Sequence, residues 1–290
     1  LLGTILLGIG AGVLGVYLLL RKRVLIGDAI SHATLPGVAI AYLLTATEAG
    51  DKSLLALLIG AAISGGLGGI AVVVLRHFGR IREDASLGTV LSVFFGLGVA
   101  LVSIVQQLPI GNAAGLESYI YGKAALMTPA DVWLCGGVTF IILLVTLLFG
   151  KELKLLCFDS DLAKSQGWPV PFLEGLLIAL VVAITIVGLQ GVGLIMIIAL
   201  LVIPAASARF WTHQLTAILL ISGCIGAVSC AAGTLLSAAY AKLPSGATIV
   251  LCGCALFAIS FAFGTTGGVV WRSLRQWRMR RQQETQHLLR

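Results

Sequence analysis

The sequence predicts an all-α fold, a polytopic membrane bundle of about eight to nine transmembrane helices. Three observations predict it. Of the 290 residues, 59% are hydrophobic and only 11% charged, with a mean hydropathy of +1.06, far outside the range of a soluble globular domain. The apolar residues fall into runs of roughly 15–25 residues, the length that crosses about 30 Å of hydrocarbon as a helix. The lysines and arginines collect between those runs. Because the runs are evenly spaced with no Pro/Ser-rich linker, one transmembrane domain (1–268) followed by a basic cytoplasmic tail (269–290) is expected.

The first run, 1–20, has no charge, no basic residues before it and no initiating methionine, so it reads as a spanning helix rather than a secretory signal, and leaves open residues ahead of Leu1. The others fall at 24–46, 53–75, 85–106, 132–149, 171–188, 194–208, 215–239 and 247–264. The pair flanking GLQGVG (188–193) is either two spans or one broken pair, because irregular backbone is tolerated only where neighbouring helices shield it. ISGGLGG (63–69) supplies small residues that let helices approach closely. The six cysteines at 135, 157, 224, 230, 252 and 254 mostly lie in spans and read as small packing residues, and CGC (252–254) lacks a second pair at zinc-site spacing.

Orientation follows from charge. If RKR (21–23) is cytoplasmic, alternation of nine spans leaves only Lys52, Lys123 and Lys242 of the nineteen lysines and arginines outside. The stretch 107–130 has room for a re-entrant segment or a further crossing, which would invert the N-terminal half. The net charge of +7 is spent at membrane boundaries, not on one aromatic-studded face, which argues against nucleic acid as a partner. WRSLRQWRMRRQQ (271–283) is suited to lie on anionic membrane lipids.

Within the second run, GDAISHATLP (27–36) holds Asp28 and His32 four residues apart, on one helix face, with Ser31 beside them. Ionisable side chains at membrane depth are costly and point to function. Carboxylate plus imidazole suits Mn²⁺, Fe²⁺ or Zn²⁺, whereas copper(I) would call for thiolate or thioether. The same pair could instead be a hydrogen bond that holds the helix in register, or a proton relay. Two ligands fall short of the four to six such a cation takes, so the rest would come from other spans, water, or a second copy of the helix across a two-fold axis. Pro36, one turn on, is expected to kink the helix and free a carbonyl near the site.

FDSDLAKSQGWP (158–169) reads as a short helix on the cytoplasmic membrane surface, capped by Asp159 or Ser160, carrying Leu162 and Ala163, and stopped at Gly167 before Pro169. On pattern alone it could be a simple interfacial linker.

These residues resemble the metal-ion permease subunits of bacterial ATP-binding-cassette importers for manganese, zinc and iron. RKRVLIGDAISHATLPGVAIAYLL (21–44) is similar to that family's second-helix signature, REDASLGTVLSVFFGLG (82–98) resembles its next block, and GLIMIIALLVIPAASAR (193–209) a late-helix block. The resemblance implies that Asp28 and His32 belong to the metal path. DLAKSQG (161–167) resembles the importer coupling motif, with Ala163 and Gly167 four apart as in that motif and Asp161 and Leu162 in place of its leading Glu-Ala. It implies a coupling role for the loop containing Phe158, Asp159, Asp161, Leu162, Ala163 and Gly167.

The resemblance also implies an assembly: a second permease subunit, identical or homologous, two ATPase subunits that carry the ATP, and an extracytoplasmic metal-binding lipoprotein. It implies a multi-pass protein of the bacterial plasma membrane that is not itself an enzyme, with no permanently bound cofactor and the metal as cargo. GNAAGLESYIYG (111–122) looks most like the manganese-associated branch. The rival is a stand-alone secondary transporter or channel using the same Asp–His pair, which needs no coupling loop. An intramembrane hydrolase is disfavoured, since His77, His213 and His287 form no HExxH.

Overall fold

In lipid a backbone N–H or C=O has no water to bond, so each apolar run must satisfy its own hydrogen bonds, and helices do so. The computed structural model describes residues 1–45, 54–79, 82–107, 127–191, 193–240 and 243–270, and among these there is no strand. The helices are α1 (Leu2–Leu20), α2 (Leu25–Thr45), α3 (Leu54–Phe78), α4 (Glu83–Gln107), α5 (Pro129–Leu148), α6 (Gly150–Phe158), α7 (Ser160–Ser165), α8 (Val170–Gly191), α9 (Leu194–Ala208), α10 (Leu215–Ala239) and α11 (Ser245–Phe263). All nine expected runs are present as helices. Seven of them are both long and apolar enough to cross a membrane by length and composition. The other two fall short for identifiable reasons: α9 has 15 residues, and the apolarity of α2 is diluted by Asp28, His32 and Pro36.

The GLQGVG question is settled in favour of two helices. Gly193 adopts φ +94°, its N–H donates to the Gly188 carbonyl at 3.1 Å, and Ile197 lies directly over Gly188, so α8 and α9 fold back antiparallel.

Contacts across the bundle fix which ends share a side. Arg21 donates to the Leu156 carbonyl (3.4 Å) and pairs with Glu174 (2.6 Å), so the start of α2, the end of α6 and the start of α8 lie together, on the cytoplasmic side by the charge rule. At the opposite side the start of α1 meets the approach to α5, where a Cβ on Gly3 would stand 2.9 Å from Met127 Sδ. Helix α4 runs parallel to α2, with Phe95 against His32 and Val105 in one cluster with Tyr42. Gln107 and Met127 therefore share the outer side, and the alternation of the nine runs is kept. Residues 108–126 themselves, the three lysines assigned outside and the tail from 271 lie outside the described residues.

Helix α1 is the most enclosed of the seven spans, whereas α4 and α5 present most of their apolar residues outward. Helix α2 is pressed onto α3 at Gly37 and Gly60, where a Cβ on either would run into the backbone carbonyl of the other, so this close approach requires glycine at both. Ser64 Oγ reinforces the seam by donating to the Ala33 carbonyl at 2.6 Å. The small-residue run behaves as its composition suggests: Gly65 and Gly68 face Thr34 and Ala33 of α2, and Gly69 faces Ile178 of α8. All six cysteines are free thiols, with Cys135 and Cys230 packed in the core.

Candidate metal path and coupling surface

The start of α2 is set by the turn before it. Arg23 N–H donates to the Leu18 carbonyl (2.9 Å) and Lys22 N–H to Leu19 (3.1 Å), the two bonds of a Schellman cap, and Lys22 takes the left-handed position with φ 57° that glycine usually fills. This tight reversal starts α2 at Leu25 and puts Asp28 in its first turn.

One turn later His32 meets it: Nε2 of His32 lies 3.3 Å from Asp28 Oδ1, with side-chain exposures of 21% and 32%, so both remain reachable. The edge-on ring of Phe95 from α4, 4.7 Å between centroids at 78°, fixes the imidazole plane. His32 Nδ1 is buried and has no hydrogen-bond partner among the described residues. A buried ring nitrogen in that condition has unmet hydrogen-bonding capacity. Ser31, expected beside the pair, is fully buried and donates to the Gly27 carbonyl at 2.7 Å, which turns it into the helix wall. Pro36 is buried within α2, which continues through it. Lacking an N–H, it leaves the His32 carbonyl without the donor that the helix would supply. Gly98 of α4 packs over it, where a Cβ would stand 3.2 Å from Pro36 Cδ. No third His, Cys, Asp or Glu joins the pair among the described residues, and the pair alone falls short of the four ligands a tetrahedral cation takes.

A second polar cluster lies below, and sequence reading did not single it out. Glu174 at the head of α8 receives Arg21 (2.6 Å) and Arg23 (3.3 Å) on Oε1 and Arg76 (3.3 Å) on Oε2. Arg23 is buried to 8% exposure. The basic cluster therefore does more than set topology: two of its three members clamp α8 to the α1–α2 turn. The available signal was Glu174 itself, the single acid in α8.

The stretch expected to couple forms a short helix, α7, with both ends defined. Asp159 is the cap: its carboxylate accepts from the Asp161 N–H (3.1 Å) and the Leu162 N–H (2.9 Å). At the far end Gly167 N–H donates to Lys164 (3.0 Å) and Trp168 N–H to Ala163 (3.1 Å), with Gly167 at φ +83°, another Schellman cap. Ala163 is fully buried and pins α7 to the bundle, while Phe158 (65% exposed) and Leu162 (45%) point away from it. Asp161 pairs with Lys164 at 3.0 Å on the exposed face. Beneath, burial pushes the Cys157 thiol up to about 11 against the pull of Arg21 and Arg23; it stays protonated at neutral pH, 3.9 Å from the Tyr17 carbonyl. The structure thus gathers Phe158, Asp159, Asp161, Leu162, Ala163 and Gly167 at α7 and its flanks, with Ala163 turned into the bundle, and places Asp28 with His32 apart from them on α2.

Comparison with known proteins gives a consistent result. The ABC 3 transport family matches residues 1–264. The chain is 42% identical over 289 residues to the manganese transport system membrane protein MntC of Bacillus subtilis (strain 168), an alignment covering 100% of this chain and 66% of that protein. It is 41% identical over 280 residues to the zinc transport system membrane protein TroC of Treponema pallidum (strain Nichols), covering 97% and 92%. Among solved structures it resembles a chain of PsaBC from Streptococcus pneumoniae in complex with Fab, with a TM-score of 0.79 at 31% identity over 95% of this chain and 92% of that one.

Proposed function

The chain belongs to the ABC 3 transport family, and from that premise we propose that it forms the membrane path of an ATP-driven importer of divalent transition-metal ions, Mn²⁺ first, with Zn²⁺ and Fe²⁺ as the alternatives. The observation that carries the reading is the Asp28–His32 pair, held on one face of α2 with the orphaned Nδ1 of His32 beside it. A carboxylate oxygen and an imidazole nitrogen suit these borderline cations, and selectivity among them comes from geometry and delivery, since affinity alone favours copper and zinc. Names of similar proteins that cite manganese and zinc support the substrate class.

A metal-binding protein docks on the outer face and releases the cation into the bundle. Asp28 and His32 hold it transiently, and the carbonyl freed by Pro36 is available as a further oxygen ligand. A second permease subunit, identical or homologous, brings its own pair across a two-fold axis and completes the coordination. ATP bound on separate ATPase subunits drives the change of access through α7, whose exposed Phe158 and Leu162 are the docking side chains. A stand-alone transporter would need no coupling loop.

The test is uptake of radiolabelled Mn²⁺ and Zn²⁺ by cells expressing the chain with its ATPase and binding protein, for wild type, Asp28→Ala and His32→Ala. Uptake is expected to fall to background in both variants at normal membrane levels. Unchanged uptake would make the pair structural.

A further inference from the structure

A cleft of about 650 Å³ opens between α3 and α8. Gly66, Ile70 and Val73 wall it on one side and Gly175, Ile178 and Val182 on the other, with Arg76, Pro171 and Glu174 at its mouth. Two missing side chains hollow it out: nothing lies within 4 Å of a Cβ built on Gly66 or Gly175. Ile70 and Val73 stay 60% and 43% exposed, so the cleft opens sideways. From Gly66 to Arg76 the helix rises roughly 15 Å at about 1.5 Å per residue. That is the depth of one leaflet, half of about 30 Å. The mouth lies on the same side as α7, at the level of the cytoplasmic headgroups.

The accessible charge at the mouth is Arg76, beside a Glu174 that is largely covered. Arg21 and Arg23 hold one oxygen of Glu174, and Arg76 meets the other from the cleft side with its own side chain 40% exposed. A guanidinium carries five N–H donors and engages several acceptors at once. The Glu174 carboxylate, gripped by three arginines, does not set the sign of the mouth. An apolar slot one leaflet deep beneath the exposed guanidinium of Arg76 matches a fatty acyl chain below a phosphate. Basic recesses between helices on the cytoplasmic side are where acidic lipids bind.

We propose that the α3–α8 cleft is a binding site for an acidic phospholipid of the cytoplasmic leaflet, with its phosphate on Arg76 and an acyl chain between Gly66 and Gly175. Its occupant would join α3, which carries α2, to α8, which follows the coupling helix.

The test is native mass spectrometry of the full chain in mild detergent, titrated with phosphatidylglycerol or phosphatidylcholine. Wild type should retain phosphatidylglycerol about fivefold better, the worth of one arginine near the surface. Arg76→Gln should lose that preference. Gly66→Leu and Gly175→Leu, whose new side chains fall in open space, should lose both lipids with unchanged melting temperature. Equal retention of the two lipids by wild type, or full retention by both leucine variants, would overturn the proposal. So would a disulfide-linked dimer in cell membranes that depends on Gly175→Cys, because a second copy of the chain would then cover the cleft.

Discussion

Glu174 balances three guanidiniums with one carboxylate, two of them on the α1–α2 turn. Replacing it by glutamine leaves Arg23 buried and without this charge partner, and breaking a buried pair from one side typically costs about 3 kcal/mol or more. We expect Glu174→Gln to lower the thermal midpoint in detergent clearly, and Arg76→Gln, half exposed, to lower it far less, since an exposed pair is worth under about 1 kcal/mol. Equal losses would show that the cluster does not anchor through its buried members. Asp28 and His32 were legible in the sequence because spacing along one helix places them together, without any knowledge of the fold. Phe95 and Glu174 were not, since each matters through residues tens of positions away, and no periodicity in a single chain encodes such pairs. Ser31 shows what adjacency cannot tell: it neighbours the pair in sequence, but its hydroxyl found a carbonyl one turn back.

Among the elements, α7 was the most readable, because capping chemistry is local. An acceptor side chain before the helix and a glycine after it are sequence signals, and both are realised, at Asp159 and at Gly167. What could not be read was direction: only the packed bundle shows Ala163 inward and Phe158 and Leu162 outward. Gly167→Ala forces a Cβ into a left-handed backbone and should cost about 1–2 kcal/mol locally. Asp159→Ala should cost about 1 kcal/mol by loss of the cap. Either variant should slow metal uptake while the transmembrane bundle melts normally, read as uptake rate against thermal midpoint. A variant with frayed α7 and full uptake would separate this helix from coupling. The α8–α9 reversal was undecidable from GLQGVG because one positive-φ glycine, Gly193, distinguishes a turn from a broken helix.

At the scale of the molecule, the nine runs were visible because the lipid demand for self-satisfied backbone forces long apolar helices. Which side is cytoplasmic was legible in the lysines and arginines; which helix ends share a side across residues 108–126 needed three-dimensional contacts, of which Gly3 with Met127 and Arg21 with Leu156 are the informative ones. Those contacts also place Asp28 and His32 in the first two turns of a 21-residue helix that starts on the cytoplasmic side. The remainder of α2, residues 33–45, carries no ionisable group but Tyr42. Such a stretch is an electrical insulator, and most of the transmembrane voltage must drop along it. A divalent cation drawn from outside to the pair moves two charges through about 60% of that field. At about 2.3 kcal/mol per charge per 100 mV, this is worth about 3 kcal/mol, close to a hundredfold in occupancy. In vesicles carrying the assembled importer, an inside-negative potential of about 100 mV should lower the Mn²⁺ concentration for half-maximal uptake by up to that factor. An uptake curve indifferent to voltage would put the site near the outer surface instead. With the proposed pair as the loading site, the placement of two side chains on one helix would make cargo loading a reader of the cell's energised state.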